Sequence, residues 1–330
     1  MSITRKFPVL GSALLLSGGL LAVATQAQAD EDWPKRPITY VVPFSPGGAT
    51  DMIGRIYSQS IGNTLGETIV VENRPGTGGS LGSAYVSRQK ADGYTLVGGT
   101  ISSHSINVSI YPDIGYDPVD SFTPIILTGT LPNVLVVRKD SPYNSVEELM
   151  AAAREKEDNL TFGSSGVGSS QHLAGELFAS MVKAKMLHVP YKGSAPSLQA
   201  LLSGEIDLLF DNLTSAMPFI ENGNLKALAV TSKQSDPALP DVKPLDQSGL
   251  PGYDVVSWQA TFAPAGTPKP VIDKLYKAMH ASLQQPEVQE RLKSVGLTIS
   301  GAGPDELLEF QKAEVAKWAK VAREANIKAD

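Results

Sequence analysis

Three segments of this chain place glycine and hydroxyl side chains between an apolar run and a helix-like run: Ser45 to Asp51, Gly76 to Ser83, and Gly163 to Ser170. Such a turn opens a helix whose first N–H groups have no intrahelical partner, and the aligned peptide dipoles put partial positive charge there. Glycine lets the backbone approach a ligand closely, and serine and threonine add neutral donors, so the chemistry on offer is the holding of an anion. A single turn of this kind is often only a tight connection that needs positive φ. Three in matching positions, one of them in the far half of the chain, suit an anion gripped from two sides. The candidates are Phe44, Ser45, Gly47, Gly48, Thr50 and Asp51 on the near side, and Ser164, Ser165, Gly166, Gly168, Ser169 and Ser170 on the far side.

Other chemistries find less support. Gly163-x-x-Gly166-x-Gly168 is not the dinucleotide fingerprint, no phosphate-binding P-loop occurs, and no nucleophile elbow is read along the chain. Ser102-Ser103-His104-Ser105 sets hydroxyls beside a histidine, but neighbours in sequence do not make a triad. His172, in a first helical turn, can donate to a ligand or simply cap and pack. His188 reads as a satisfied core residue and His280 as a solvated one. Four scattered histidines and no cysteine give no metal-ligand spacing, and no cofactor is expected. Asp207 and Asp211 flank an apolar strand, one as a capping carboxylate and the other, with Asn212, near a cleft mouth. The rival function is an exported serine hydrolase using Ser103 or Ser169 with His104 or His172; a ligand-binding sensor subunit is a third.

The elements that must position these groups alternate along the chain. Strands are predicted at Ile38–Val42, Thr68–Glu72, Tyr94–Gly98, Val134–Val137, Leu160–Phe162, Leu187–Val189, Ile206–Phe210, Ala227–Val230 and Val255–Phe262. Helices are predicted between them, from Asp51 to Leu65, to Lys90, from Ser145, from Gln171 to Lys183 and from Ala195 to Ser203. Three more fill the tail: Lys269–Gln284, Pro286–Val295 and Pro304–Glu324. The β-α-β rhythm implies an α/β fold with mostly parallel sheets covered by helices. At the N-terminus, Arg5 and Lys6, the apolar Val9–Val23 and Ala27-Gln28-Ala29 have the anatomy of a secretory signal peptide. Without Arg5 and Lys6, 26 basic residues face 34 acidic ones, a net of −8, and no dense basic patch suits nucleic acid. About 300 remaining residues favour two domains. An exported chain without cysteine suits a bacterial periplasm.

The motifs in combination resemble the Bug family, the periplasmic receptors of tripartite tricarboxylate transporters. The resemblance is carried by Trp33 to Ile38, Val42 to Asp51, Val70 to Gly79, Asp92 to Leu96, Gly163 to Ser169, His172 to Glu176, His188 to Gly193, Phe210 to Asn212, Ala227 to Thr231 and Ala263 to Pro268. It covers essentially the whole chain after the signal. It implies a type II periplasmic-binding fold, a Venus flytrap, with the signal at 1–29, domain I at 30–130 plus 255–330, and domain II at 131–254. It also implies a small di- or tricarboxylate, amino-acid or aromatic-acid ligand. The turns at Ser45–Asp51 and Ser164–Ser170 would grip its carboxylate, with Ser102, Ser103, His104, Asn107, His172, Tyr191, Asp211 and Asn212 lining the cleft. Ala49 stands where a third glycine is common, and Gln171 occupies a position that varies in the family and can set ligand preference. The implied partners are the large and small membrane subunits of a transporter, unless the receptor is an orphan, and the implied state is a monomer.

Overall fold

The apolar run Ile38–Val42 forms strand β1, sandwiched between helices and buried at nearly every position. In the computed structural model the described residues are Met1, 33–155, 160–324 and 327–328, so the expected signal peptide lies outside them apart from Met1. From β1 the chain turns into α1 (Ala49–Leu65), β2 (Ile69–Asn73), α2 (Ser80–Ser87) and β3 (Thr95–Thr100). β1 pairs in parallel with both β2 and β3. β3 then runs directly into a π turn, Ser102–Ile106, and the short α3, Asn107–Ile110.

The long β4 (Phe122–Arg138) follows, spanning about 55 Å at ordinary strand rise. The second lobe is α4 (Val146–Glu155), β5 (Thr161–Ser164), α5 (Ser170–Val182), β6 (Leu187–Pro190), α6 (Ser194–Ser203), β7 (Leu208–Asn212), α7 (Leu213–Glu221) and β8 (Leu225–Val230). The return strand is β9 (Val256–Pro264), followed by α8 (Lys269–Leu283), α9 (Pro286–Ser294), β10 (Thr298–Ala302) and α10 (Pro304–Glu324).

β4 joins the two lobes as one continuous strand. Phe122 to Pro132 pair antiparallel with β9, and Asn133 onward pair antiparallel with β7, so the partner changes at Pro132/Asn133. The two-domain architecture therefore rests on mixed sheets. Among the described strands, parallel ladders occur in β2-β1-β3 and in β6-β5-β7, while both crossover strands run antiparallel to their neighbours. Three elements or parts of elements were not named from the sequence. The front of β4 is strand although Pro124 and Gly129 punctuate it, because the register shifts beside both residues and releases the ladder there. α7 forms despite Pro218 inside it, and β10 was not anticipated.

Apolar cores lie on both faces of each sheet. Tyr57, Ile61, Leu275 and Leu283 cover one face of the first sheet, and Leu198, Leu201, Ala216 and Met217 one face of the second. A third cluster runs through both lobes and includes Phe162, Phe178, Phe210, Trp258 and Trp318. Glu314 accepts from both buried indoles, Trp258 Nε1 at 3.3 Å and Trp318 Nε1 at 3.0 Å, which ties the C-terminal helix to β9.

Candidate functional site

The first turns of α1 and α5 face each other across a cavity of about 20 Å³, room for about one water. Phe44, Gly48, Ala49, Thr50, Thr100, Ser102, Ser257 and Gln259 line it from the first lobe, and Ser165, Ser170, Gln171, Ser194 and Asn212 from the second. Seven hydroxyls and three amides surround it, with no lysine, arginine or histidine. Gly48 caps α1 in an extended conformation without a side-chain bond, which leaves the N–H groups of the first turn available. The lobes are shut on each other. Ser45 Oγ donates to the Lys192 carbonyl at 2.6 Å, Ser170 N donates to Ser102 Oγ at 3.1 Å, and Tyr111 OH donates to the Val167 carbonyl at 2.8 Å.

Of the residues expected to touch a ligand, Phe44, Gly48, Thr50, Ser102, Ser165, Ser170 and Asn212 come together at this cavity. The others stand around it in different work. Asp51 accepts from Gly47 N, Asn73 and Arg55, fixing the turn at Gly47. Burial pushes its carboxyl up, but Arg55 and these donors outweigh that and hold it below the ordinary range. Ser45 forms one of the bonds between the lobes. Ser164 bonds His188 Nε2 at 2.6 Å, Gly166 and Gly168 shape their turn at φ +123 and +82, and Ser169 caps α5 by accepting from His172 N. Tyr191 donates to Glu205 at 2.7 Å, away from the cavity. Asn107 binds the Thr77 and Gly78 carbonyls and Ser80 Oγ, so the Gly76–Ser83 turn is packed against α3 and does not face the ligand cavity.

The catalytic alternatives can be inspected directly. Ser103 Oγ does meet His104 Nδ1, at 2.9 Å. Both are fully buried, however, and the imidazole stacks on Phe262 at 4.2 Å beside Phe122 at 4.7 Å. Burial drives the His104 pKa down to about 3, so it is a poor base and a substrate cannot reach it. His172 uses Nδ1 to accept from Gly168 N and stacks on His188 at 4.0 Å; burial lowers the two to about 4 and about 3. A G-x-S-x-G spacing does occur, at Gly78–Gly82, which corrects the sequence reading. Its Ser80 starts α2, is buried, and accepts from Asn107 rather than facing a histidine. A tight turn explains that spacing.

Several lining residues escaped the sequence reading. Ser257 and Gln259 flank buried Trp258 on β9, and strand alternation turns both toward the cavity. Three polar residues at alternate positions of β9, Ser257, Gln259 and Thr261, were the available signal. Thr100 ends β3, and Ser194 opens α6 after Gly193. Behind Ser194 and Gln171 lies Asp211, fully buried, whose Oδ1 accepts from Ser194 Oγ at 2.7 Å, Gln171 Nε2 at 3.1 Å and Asn212 N at 2.8 Å. Burial raises its pKa to about 6 in spite of these donors. Asp207, as expected, serves as a cap, accepting from Thr161 N and Oγ1.

Comparison with known proteins places this geometry in context. A family described as tripartite tricarboxylate transporter family receptor matches residues 53–327. The solved structure of the periplasmic binding protein BugD superposes with a TM-score of 0.88 at 38% identity, covering 90% of this chain and 100% of that one. An R. palustris protein with adipate gives the same TM-score and identity over 90% of this chain and 99% of its own. MatC from Rhodopseudomonas palustris, with bound malate, gives 0.85 at 34% identity over 88% and 99%.

Proposed function

The chain belongs to the tripartite tricarboxylate transporter receptor family, and from that premise we propose that it captures a small carboxylate between its lobes and releases it chemically unchanged. One observation carries the reading: two helix N-termini from opposite lobes open on one cavity lined by hydroxyls and amides. Dipoles and neutral donors compensate an anion there without a countercharge. The cavity is smaller than any dicarboxylate, so entry requires the lobes to separate, and contacts to both lobes then favour closure. The structures with adipate and with malate make small carboxylates the first ligands to try. The receptor would work in the periplasm as a monomer that hands its ligand to the membrane subunits of a transporter. None of the described helices is long and apolar enough to cross a membrane.

A thermal-shift screen of the mature chain against aliphatic, aromatic and amino-acid carboxylates tests this. A true ligand at a hundredfold excess over its Kd adds about 2.7 kcal/mol, a rise of roughly 5 °C. The ligand recovered afterwards should be intact. Turnover of an ester or amide, lost on Ser103→Ala or Ser169→Ala, would move the protein to the hydrolase class.

A further inference from the structure

We propose that capture of a carboxylate is coupled to uptake of one proton by Asp211, so that the anion is held with the charge behind the cavity neutralised. The inference rests on the carboxylate-receptor reading and adds a proton-binding site to it. Asp211 is fully buried near the end of β7, and its hydrogen bonds are one-sided. Oδ1 accepts from Ser194 Oγ, Gln171 Nε2 and Asn212 N, whereas Oδ2 is buried and has no partner. An ionised carboxyl spreads its charge over both oxygens, and burying one of them without a donor is costly. A proton on Oδ2 removes that charge and leaves all three bonds to Oδ1 in place.

Asp211 stands one side chain behind the cavity, because Ser194 and Gln171 both bond it and both line the cavity. No lysine, arginine or histidine lines that space. The elements packed most closely on β7 bring no cation to Asp211 either. β5 and α6 carry no titratable residue, and α7 has only Glu221, its last residue. β4 has only Arg138, beyond the Val137–Leu208 pair at the far end of β7. α5 carries His172 and Glu176, 3.7 Å apart, and burial keeps His172 neutral. Lys192, two residues before Ser194, is exposed. A bound anion therefore meets a second, buried negative charge unless Asp211 is protonated. Burial alone already raises this carboxyl to about 6, and a like charge in front of it raises it further. The proton comes from solvent, joins Oδ2 as the lobes close and returns when the anion leaves. Protonation is favoured in the complex, so affinity falls as the pH rises through the pKa that Asp211 has there.

Calorimetric titration in buffers of different ionisation enthalpy counts the protons. Malate, adipate and glutamate are the first probes, with any other acid that the thermal-shift screen brings out, because such carboxyls are almost wholly ionised at about pH 6.5. A probe that binds should carry about half a proton or more into the protein at that pH, and its affinity should fall about tenfold between about pH 6 and 8. Asp211→Asn cannot take up the proton, so the count should drop to about a tenth and the pH profile should flatten. If that variant does not fold, Ser194→Ala serves in its place. It removes a donor from Oδ1, raises the carboxyl further and should move the fall in affinity to higher pH. A wild-type count near zero, a count that persists in Asp211→Asn, or an unmoved profile in Ser194→Ala overturns the coupling and leaves the receptor reading standing. Failure of every acid in the screen to bind removes both.

Discussion

Burial holds His104 and His188 at about 3 and His172 at about 4, far below the value of about 6.5 in an unfolded chain. Below that value the unfolded chain binds more protons than the fold, so stability is full above pH 6.5 and falls as the pH drops toward 4. Asp211 works the other way. Raised to about 6, it holds its proton longer in the fold, and its contribution weakens as the pH rises from about 4 through 6. Three histidines outweigh one carboxylate, so the urea midpoint should fall between pH 7.5 and pH 5. His104→Phe, which suits the aromatic cage of Phe122 and Phe262, should shrink that fall; an unchanged difference would contradict the assignment. At this scale the sequence was legible where a residue's role follows from its turn, as at Gly48, Thr50 and Ser170. It was not legible where a neighbour distant in sequence claims the side chain. His104 is taken by Phe262, Tyr191 by Glu205 and Asp211 by Gln171 and Ser194.

The elements show the same division. α5 begins where Ser169 accepts from His172 N, and Ser169→Ala should cost about 1 kcal/mol in urea unfolding. Its packing on β5 depends on Gly175, where an added Cβ would stand 2.2 Å from the Phe162 ring, so Gly175→Ala should cost about 1–3 kcal/mol. A loss below a few tenths in either variant would show that the helix is held elsewhere. Capped, amphipathic helices such as α4 were readable: Ser145 Oγ accepts from Glu148 N, and Glu148 reaches back to Asn144 N. The π turn at Ser102–Ile106 was not, because nothing local announces it. Gly99 makes it possible by clearing space for His104 against Phe262, a requirement visible only when β3 and β9 are side by side. The front of β4 was hidden by its proline and glycine, and only the shifts in pairing explain how they are tolerated.

For the whole molecule, function lies in the relation between two lobes that share β4. Alternating strands and helices told of two α/β units, but not that the crossovers pair with each other or that the lobes close on a water-sized cavity. Because no dicarboxylate enters that cavity with the lobes shut, the unliganded chain in solution should sample a more open state. Small-angle scattering should show the radius of gyration falling on saturation with ligand, and an identical value in both states would argue against lobe motion. Gly168 is unsuited to testing the site, since any side chain there would strike Asn107 at 2.2 Å and disturb the turn itself. Gly48 is suited: its φ of −86 is open to any residue, and an added Cβ lies 3.7 Å from Ser194, an ordinary contact. A carboxylate placed there would cap α1 and occupy the donors meant for the ligand. The most direct measurement is therefore calorimetry of the mature chain and its Gly48→Asp variant against a carboxylate found by screening. The account predicts one site per chain, weakened about a hundredfold or more in a variant at least as stable to heat. Equal affinity in the two proteins would contradict it.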